Sequence, residues 1–104
     1  MRIIIAGAGA VGRHLAKLLS REDMDISLID ERQDRLGDLD ASYDLLTKVG
    51  SPMSIHDLKS IGVKDVDLFI AVMPSESDNI TACLLANQLG AKKTLARIDN
   101  YEFL

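Results

Sequence analysis

Residues 3–19, "IIIAGAGAVGRHLAKLL", constrain this chain more than any other stretch. The β-branched run Arg2–Ala6 breaks into Gly7-Ala8-Gly9-Ala10-Val11-Gly12, and apolar residues then resume at helical spacing. Val11, Leu15, Leu18 and Leu19 fall on one face of a helix over Ala10–Ser20, with Arg13 and Lys17 on the other. Glycine weakens helix and strand interiors, so three of them in six positions need a reason. A strand that enters a helix through G-x-G-x-x-G brings backbone close to a pyrophosphate. The first glycine permits the tight turn, the second the close approach, and the third the packing of helix on strand. The unpaired N–H groups and positive dipole of the helix start then face the anion. The hexapeptide by itself is a weak signal, because small-residue turns produce chance matches.

The rest of the chain supplies the context. Asp25–Asp30 ("DISLID"), Asp44–Val49, Asp67–Val72 ("DLFIAV") and Thr94–Ile98 ("TLARI") read as further strands. Between them lie a weak helical pattern over Glu31–Leu39 interrupted by Gly37, a helix opening at Ser54-Ile55-His56-Asp57, and a helix over Asn79–Leu89 closed by Gly90. Ile80, Cys83 and Leu84 mark one apolar face of that last helix and Ala82, Leu85, Ala86 and Leu89 another, which predicts burial on more than one side. Strands alternating with helices call for an α/β fold, a Rossmann-like doubly wound parallel sheet in three layers with strand order 3-2-1-4-5. With 104 residues, it is one domain.

Asp30 ends the second strand eighteen residues after Gly12. A carboxylate there accepts hydrogen bonds from the adenosine ribose and repels a 2′-phosphate, favouring NAD over NADP. An isolated Asp at that place would read as a helix cap or a solvated loop acid; its pairing with the glycines favours the ribose. Glu31 and Arg32 follow as largely solvent-facing residues, with Arg32 placed to reach an adenine edge. The predicted strand order puts the loop Met73-Pro74-Ser75 across the switch-point crevice from the glycine loop. Arg97, near the end of the fifth strand, reads equally as a phosphate contact or as a cation at a sheet edge.

Composition excludes several classes. The net charge of −4 and the scatter of basic among acidic residues give no footprint for nucleic acid. The single cysteine, Cys83, forms no internal disulfide and reads as a small buried hydrophobe. No apolar stretch approaches membrane-spanning length, so a soluble, cytoplasmic protein with no direct membrane insertion is expected. Catalytic groups are also missing. Tyr43 is followed four residues on by Thr47 rather than the lysine of a short-chain reductase. His14 and His56 sit within helices, and no cluster has metal-ligand spacing. The expectation is a nucleotide-binding domain that is not an enzyme; the alternative is the cofactor-binding fragment of an NAD-dependent dehydrogenase.

The stretches "IIIAGAGAVGRHLAKLL", "DISLID", "LLTKVGS", "VDLFIAVMPSESDNI" and "LARIDNY", in this order and spacing, resemble the N-terminal nucleotide-binding domain of TrkA-type potassium-uptake regulators, also called RCK or KTN domains. The resemblance runs the length of the chain. It implies binding of NAD or NADH, in some members ATP or ADP, on the cytoplasmic side of a membrane-embedded potassium transporter subunit or channel. It also implies a homo-oligomer, a dimer or ring, whose ligand-dependent changes reach the pore. Carried over by position, Gly7, Ala8, Gly9, Ala10 and Val11 would hold the pyrophosphate and Asp30 the ribose. Gly50 and Ser51 would lie beside the adenine, and Met73 and Pro74 would form the crevice loop. Arg97 matches a phosphate-facing arginine, and Asn79 an asparagine that starts the fourth predicted helix and caps it or fixes the crevice loop. The family ordinarily has threonine where this chain has Met73, which removes a hydroxyl near the ligand. The family's domain also has a last helix and strand expected after Leu104.

Overall fold

The computed structural model describes residues 1–99. Asn100 and Tyr101 of the "LARIDNY" stretch lie outside the described residues. Five strands form one parallel sheet: β1 (Arg2–Ala6), β2 (Asp25–Asp30), β3 (Leu45–Val49), β4 (Leu68–Ala71) and β5 (Thr94–Ala96). Their order is β3-β2-β1-β4-β5, the order expected from the sequence. The chain reverses between β1 and β4, which pair from Ile3↔Leu68 to Ala6↔Ala71.

Alternation along β1 divides the core in two, because successive strand residues point to opposite faces. Ile3 and Ile5 join Ile26, Leu28, Leu45 and Ile70 beneath α1 (Ala10–Ser20), α2 (Gln33–Leu36) and α3 (Leu39–Ser42). Ile4 and Ala6 join Ile29, Phe69 and Ala71 beneath α4 (Ile55–Ser60) and α5 (Glu76–Gln88). Three layers result.

Four local expectations are corrected. The weak helix expected over Glu31–Leu39 is two single turns, α2 and α3, parted by Gly37 at φ +50°, a backbone conformation that ends α2. Asn79 does not start its helix. Ser75 caps α5 by accepting the Asp78 N–H, so the helix opens three residues earlier than the apolar pattern implied. On α1 the buried stripe is Gly12 and Ala16, while Val11 and Leu18 are exposed. Small residues four apart let the helix lie close to the sheet, and the larger side chains are left at its flank. On α5, Ala82, Cys83 and Ala86 are buried, but Ile80 and Leu84 are 44% and 62% exposed. One sheet face covers one side of that helix only.

Candidate nucleotide-binding crevice

A crevice of about 170 Å³ lies at the C-terminal edge of the sheet, between the segments that follow β2, β3 and β4; the glycine loop after β1 is not in its lining. Its lining comes from the turn after β2 (Asp30, Glu31, Arg32), Arg35 of α2, Pro52 and Met53 after β3, and Met73, Pro74 and Asp78 after β4. A larger cleft, about 320 Å³, lies at the opposite end of the sheet between Arg2, Asp25, Asp44 and Ile61. It faces away from the glycine loop.

That loop is built by close contacts. Gly7 has φ +108°, and a Cβ there would press on Val72 and Met73 at 3.1 Å. A Cβ at Gly12 would land on the Gly7 carbonyl oxygen. Neither position tolerates a side chain, for reasons internal to the fold. Gly9 differs, because a Cβ there would meet nothing within 4 Å. Its φ of −73° is open to any residue, so neither sterics nor backbone conformation demands glycine. The space in front of Gly9 is kept clear.

The backbone amides divide the same way. Gly7 N–H donates to the Ile29 carbonyl at 2.9 Å, and Ala8 N–H to Asp30 Oδ2 at 2.8 Å. Among the described residues, the N–H groups of Gly9, Ala10, Val11 and Gly12 find no such acceptor. Gly9 is the N-cap of α1, with no side-chain cap and no acidic residue in the first turn. The result is a row of donors without a protein acceptor among the described residues, at the positive end of an 11-residue helix.

Asp30 is 5% exposed. Its Oδ2 holds the Ala8 N–H, its Oδ1 accepts the Arg32 N–H at 2.8 Å, and Arg35 Nη1 stands 3.6 Å from Oδ2. Its carbonyl accepts the Gly50 N–H at 2.9 Å. Asp30 is therefore a strut between the glycine loop, its own turn and the loop after β3, while a carboxylate oxygen retains capacity for further donors. Asn79, 1% exposed, performs the matching task on the other wall. Its Oδ1 accepts the Met73 N–H at 2.7 Å, and its Nδ2 donates to the Met73 carbonyl at 2.9 Å and the Arg97 carbonyl at 3.0 Å.

Residues 3–104 match the TrkA-N domain. The chain belongs to that family. The Trk system potassium uptake protein TrkA of Haemophilus influenzae is 43% identical over 105 aligned residues, covering all of this chain and 23% of that protein. This TrkA-N domain thus spans about a quarter of the relative's length. Among solved structures, the GsuK channel bound to NAD superposes with a TM-score of 0.73 at 25% identity, over 86% of this chain and 16% of that one. The Kef CTD of Shewanella denitrificans in AMP-bound form gives 0.76 at 20% identity, over 91% and 57%. The latter likeness is one of fold.

Within this TrkA-N domain, several residues singled out from sequence are placed at the crevice: Asp30, Glu31, Met73 and Pro74 line it. Gly50 and Ser51 lie behind it. Ser51 spends its N–H on Asp57 Oδ2 and its Oγ on the Met53 N–H, and a Cβ at Gly50 would meet Asp57 at 3.0 Å. Pro52 and Met53 line the crevice instead. The Arg97 side chain pairs with Asp99 at 3.0 Å and is absent from the crevice lining, although its carbonyl is tied to Asn79. Sequence reasoning missed Pro52, Met53, Arg35 and Asp78. Pro52 and Met53 directly follow a strand end at the ligand-facing edge, a positional signal that was available. Arg35 had no signal, because the short α2 was not separable from the turn that follows it. Among the described residues no group of acidic, His and Cys side chains could hold a metal ion, and no helix is long and apolar enough to cross a membrane.

Proposed function

We propose that this domain is a non-enzymatic nucleotide sensor of a potassium uptake system, binding NAD or NADH, or ATP or ADP, in the crevice. The observation that carries the reading is the start of α1: four amides with no acceptor among the described residues and clear space at Gly9, beside a buried carboxylate at the end of β2. A pyrophosphate suits those donors, and a ribose diol suits the remaining lone pairs of Asp30. Pro52, Met53 and Met73 offer apolar surface for an adenine. NAD on the GsuK structure and the potassium-uptake names of the relatives support the same reading. The bound nucleotide supplies charge and contact surface here; the chain's residues bind and orient it.

Regulation then follows from linkage. A nucleotide biases a gate only through different affinities for two states of the assembly. Copies of the domain in a dimer or ring, at the cytoplasmic face of a membrane-embedded transporter subunit, would provide those states. Calorimetric titration with NADH, NAD, ATP and ADP tests the binding step, and Asp30→Ala is expected to weaken binding by roughly 1–3 kcal/mol. Unchanged affinity removes Asp30 from the site. Potassium flux that ignores every adenine nucleotide, in a transporter reconstituted with the complete regulator, overturns the sensor.

A further inference from the structure

Ser54 opens α4 by accepting the Asp57 N–H at 3.2 Å, but only half of a capping box is present. In the complete motif the acid three residues on reaches back to the N–H of the cap residue. Here the Ser54 N–H goes to the Ser51 carbonyl at 3.1 Å, and Asp57 Oδ2 accepts the Ser51 N–H at 2.9 Å instead. Among the described residues the Asp57 carboxylate has no cationic partner, so what its charge holds is an amide of the preceding loop. An ionised acceptor makes that bond a strong one. Gly50 leaves room for it, since a Cβ there would meet Asp57 Cγ and Oδ2 at 3.0 Å.

The same loop is tied at every donor. Gly50 N–H donates to the Asp30 carbonyl at 2.9 Å and Met53 N–H to Ser51 Oγ at 3.2 Å. Ser51 and Ser54 are spent as described, and Pro52 has no N–H to give. The residues that this loop brings to the crevice lining are Pro52 and Met53, while Ser51 and Asp57 stay out of it. We propose that Asp57 is a positioning residue for nucleotide binding: it touches no nucleotide, but fixes Ser51 and with it the Pro52–Met53 surface that takes the base. The proposal rests on the nucleotide reading above. A wall ordered in advance need not be ordered by the ligand, so loosening it costs affinity. Met73, on the other wall, is held separately by Asn79, which confines the effect of Asp57 to its own side of the crevice.

Calorimetric titration with NADH and with ATP, beside denaturant unfolding, tests this on the unmodified chain and its variants. Asp57→Ala is expected to lose about tenfold in affinity for whichever nucleotide the unmodified chain binds. Asp57→Asn keeps a neutral acceptor for the Ser51 N–H and is expected to lose about threefold. Ile26→Val trims a buried side chain on the other face of the sheet and at its opposite end. It is expected to lower stability while affinity stays within about twofold. Gly50→Ala presses on the Asp57 carboxylate, so it is expected to weaken binding in the parent and to add little in the Asp57→Ala background. Should Asp57→Ala not fold, the contrast between Asp57→Asn and Ile26→Val decides in its place. Unchanged affinity in Asp57→Ala overturns the proposal. So does a loss in Ile26→Val that matches its stability, or losses at Gly50 and Asp57 that simply multiply. Binding of neither nucleotide to the unmodified chain overturns the nucleotide reading itself, so the two failures are distinguishable.

Discussion

Two helices begin at the same edge of the sheet, each after a central strand, and they begin differently. Ser75 opens α5 by accepting the Asp78 N–H, and Glu76 and Asp78 lie in its first turn. Gly9 opens α1 with no side-chain cap, and no acid follows. A cap contributes about 1 kcal/mol and a first-turn carboxylate roughly 0.3–1 kcal/mol. At α5 the free donors and dipole are used to hold the fold together. At α1 both contributions are forgone, and among the described residues its first donors have no protein acceptor. The difference marks which helix start is left for something outside the chain.

Substitution of the glycines tests this contrast most severely. Gly12→Val drives a side chain into the Gly7 carbonyl and is expected to destabilise the domain by about 3 kcal/mol or more, with binding lost as well. Gly9→Asp has room and provides a cap. It is expected to raise stability by about 0.5 kcal/mol while abolishing NADH binding, because a carboxylate then stands where the pyrophosphate belongs. Denaturant unfolding and calorimetry together read both. Equal destabilisation by the two variants would erase the distinction between a packing glycine and an approach glycine.

Asn79→Ala comes next. Truncation leaves the Met73 N–H and the Met73 and Arg97 carbonyls without their partner, at an expected cost of about 2–4 kcal/mol by chemical denaturation. Ser75→Ala removes only the α5 cap, with an expected cost of about 1 kcal/mol and a smaller effect on NADH affinity. A larger loss of binding than of stability would place Ser75 among the ligand contacts. The smallest effect is expected away from the crevice. The Arg2 N–H and then Lys92 hold the Asp67 carboxyl below the usual carboxylate range. A depressed pKa contributes stability above the unfolded value, about 3.9, which is lost as pH falls through the folded one. Asp67→Asn should therefore melt below the parent at pH 7, with the gap closing in acid.

Much of this was legible in the chain. Continuous β-branched runs separated by helical spacing determine a parallel sheet, and the G-x-G-x-x-G between β1 and α1 determines which turn lies tightest. These signals are local, so they survive in one dimension. The buried stripe of α1 was not legible, because Gly12 and Ala16 contribute almost nothing to an apolar pattern yet are the residues that let helix and sheet approach. The exposed side of α5 was hidden for the opposite reason: the helix is apolar nearly all round, and only the placement of one sheet face selects a side.

The site divides along the same line. Residue types and spacing alone determined that a glycine loop and a carboxylate would meet at the end of β2, because strand ends adjoin in a parallel sheet whatever packs around them. Tertiary structure alone decided how the polar groups are spent. Ala8 is given to Asp30 while Gly9 to Gly12 have no acceptor among the described residues, Ser51 turns inward to Asp57, and Arg35 is brought to Asp30 from five residues away. Hydrogen bonds between loops depend on distances that no spacing along the chain encodes, so what is left open to a ligand emerges only once the fold has closed.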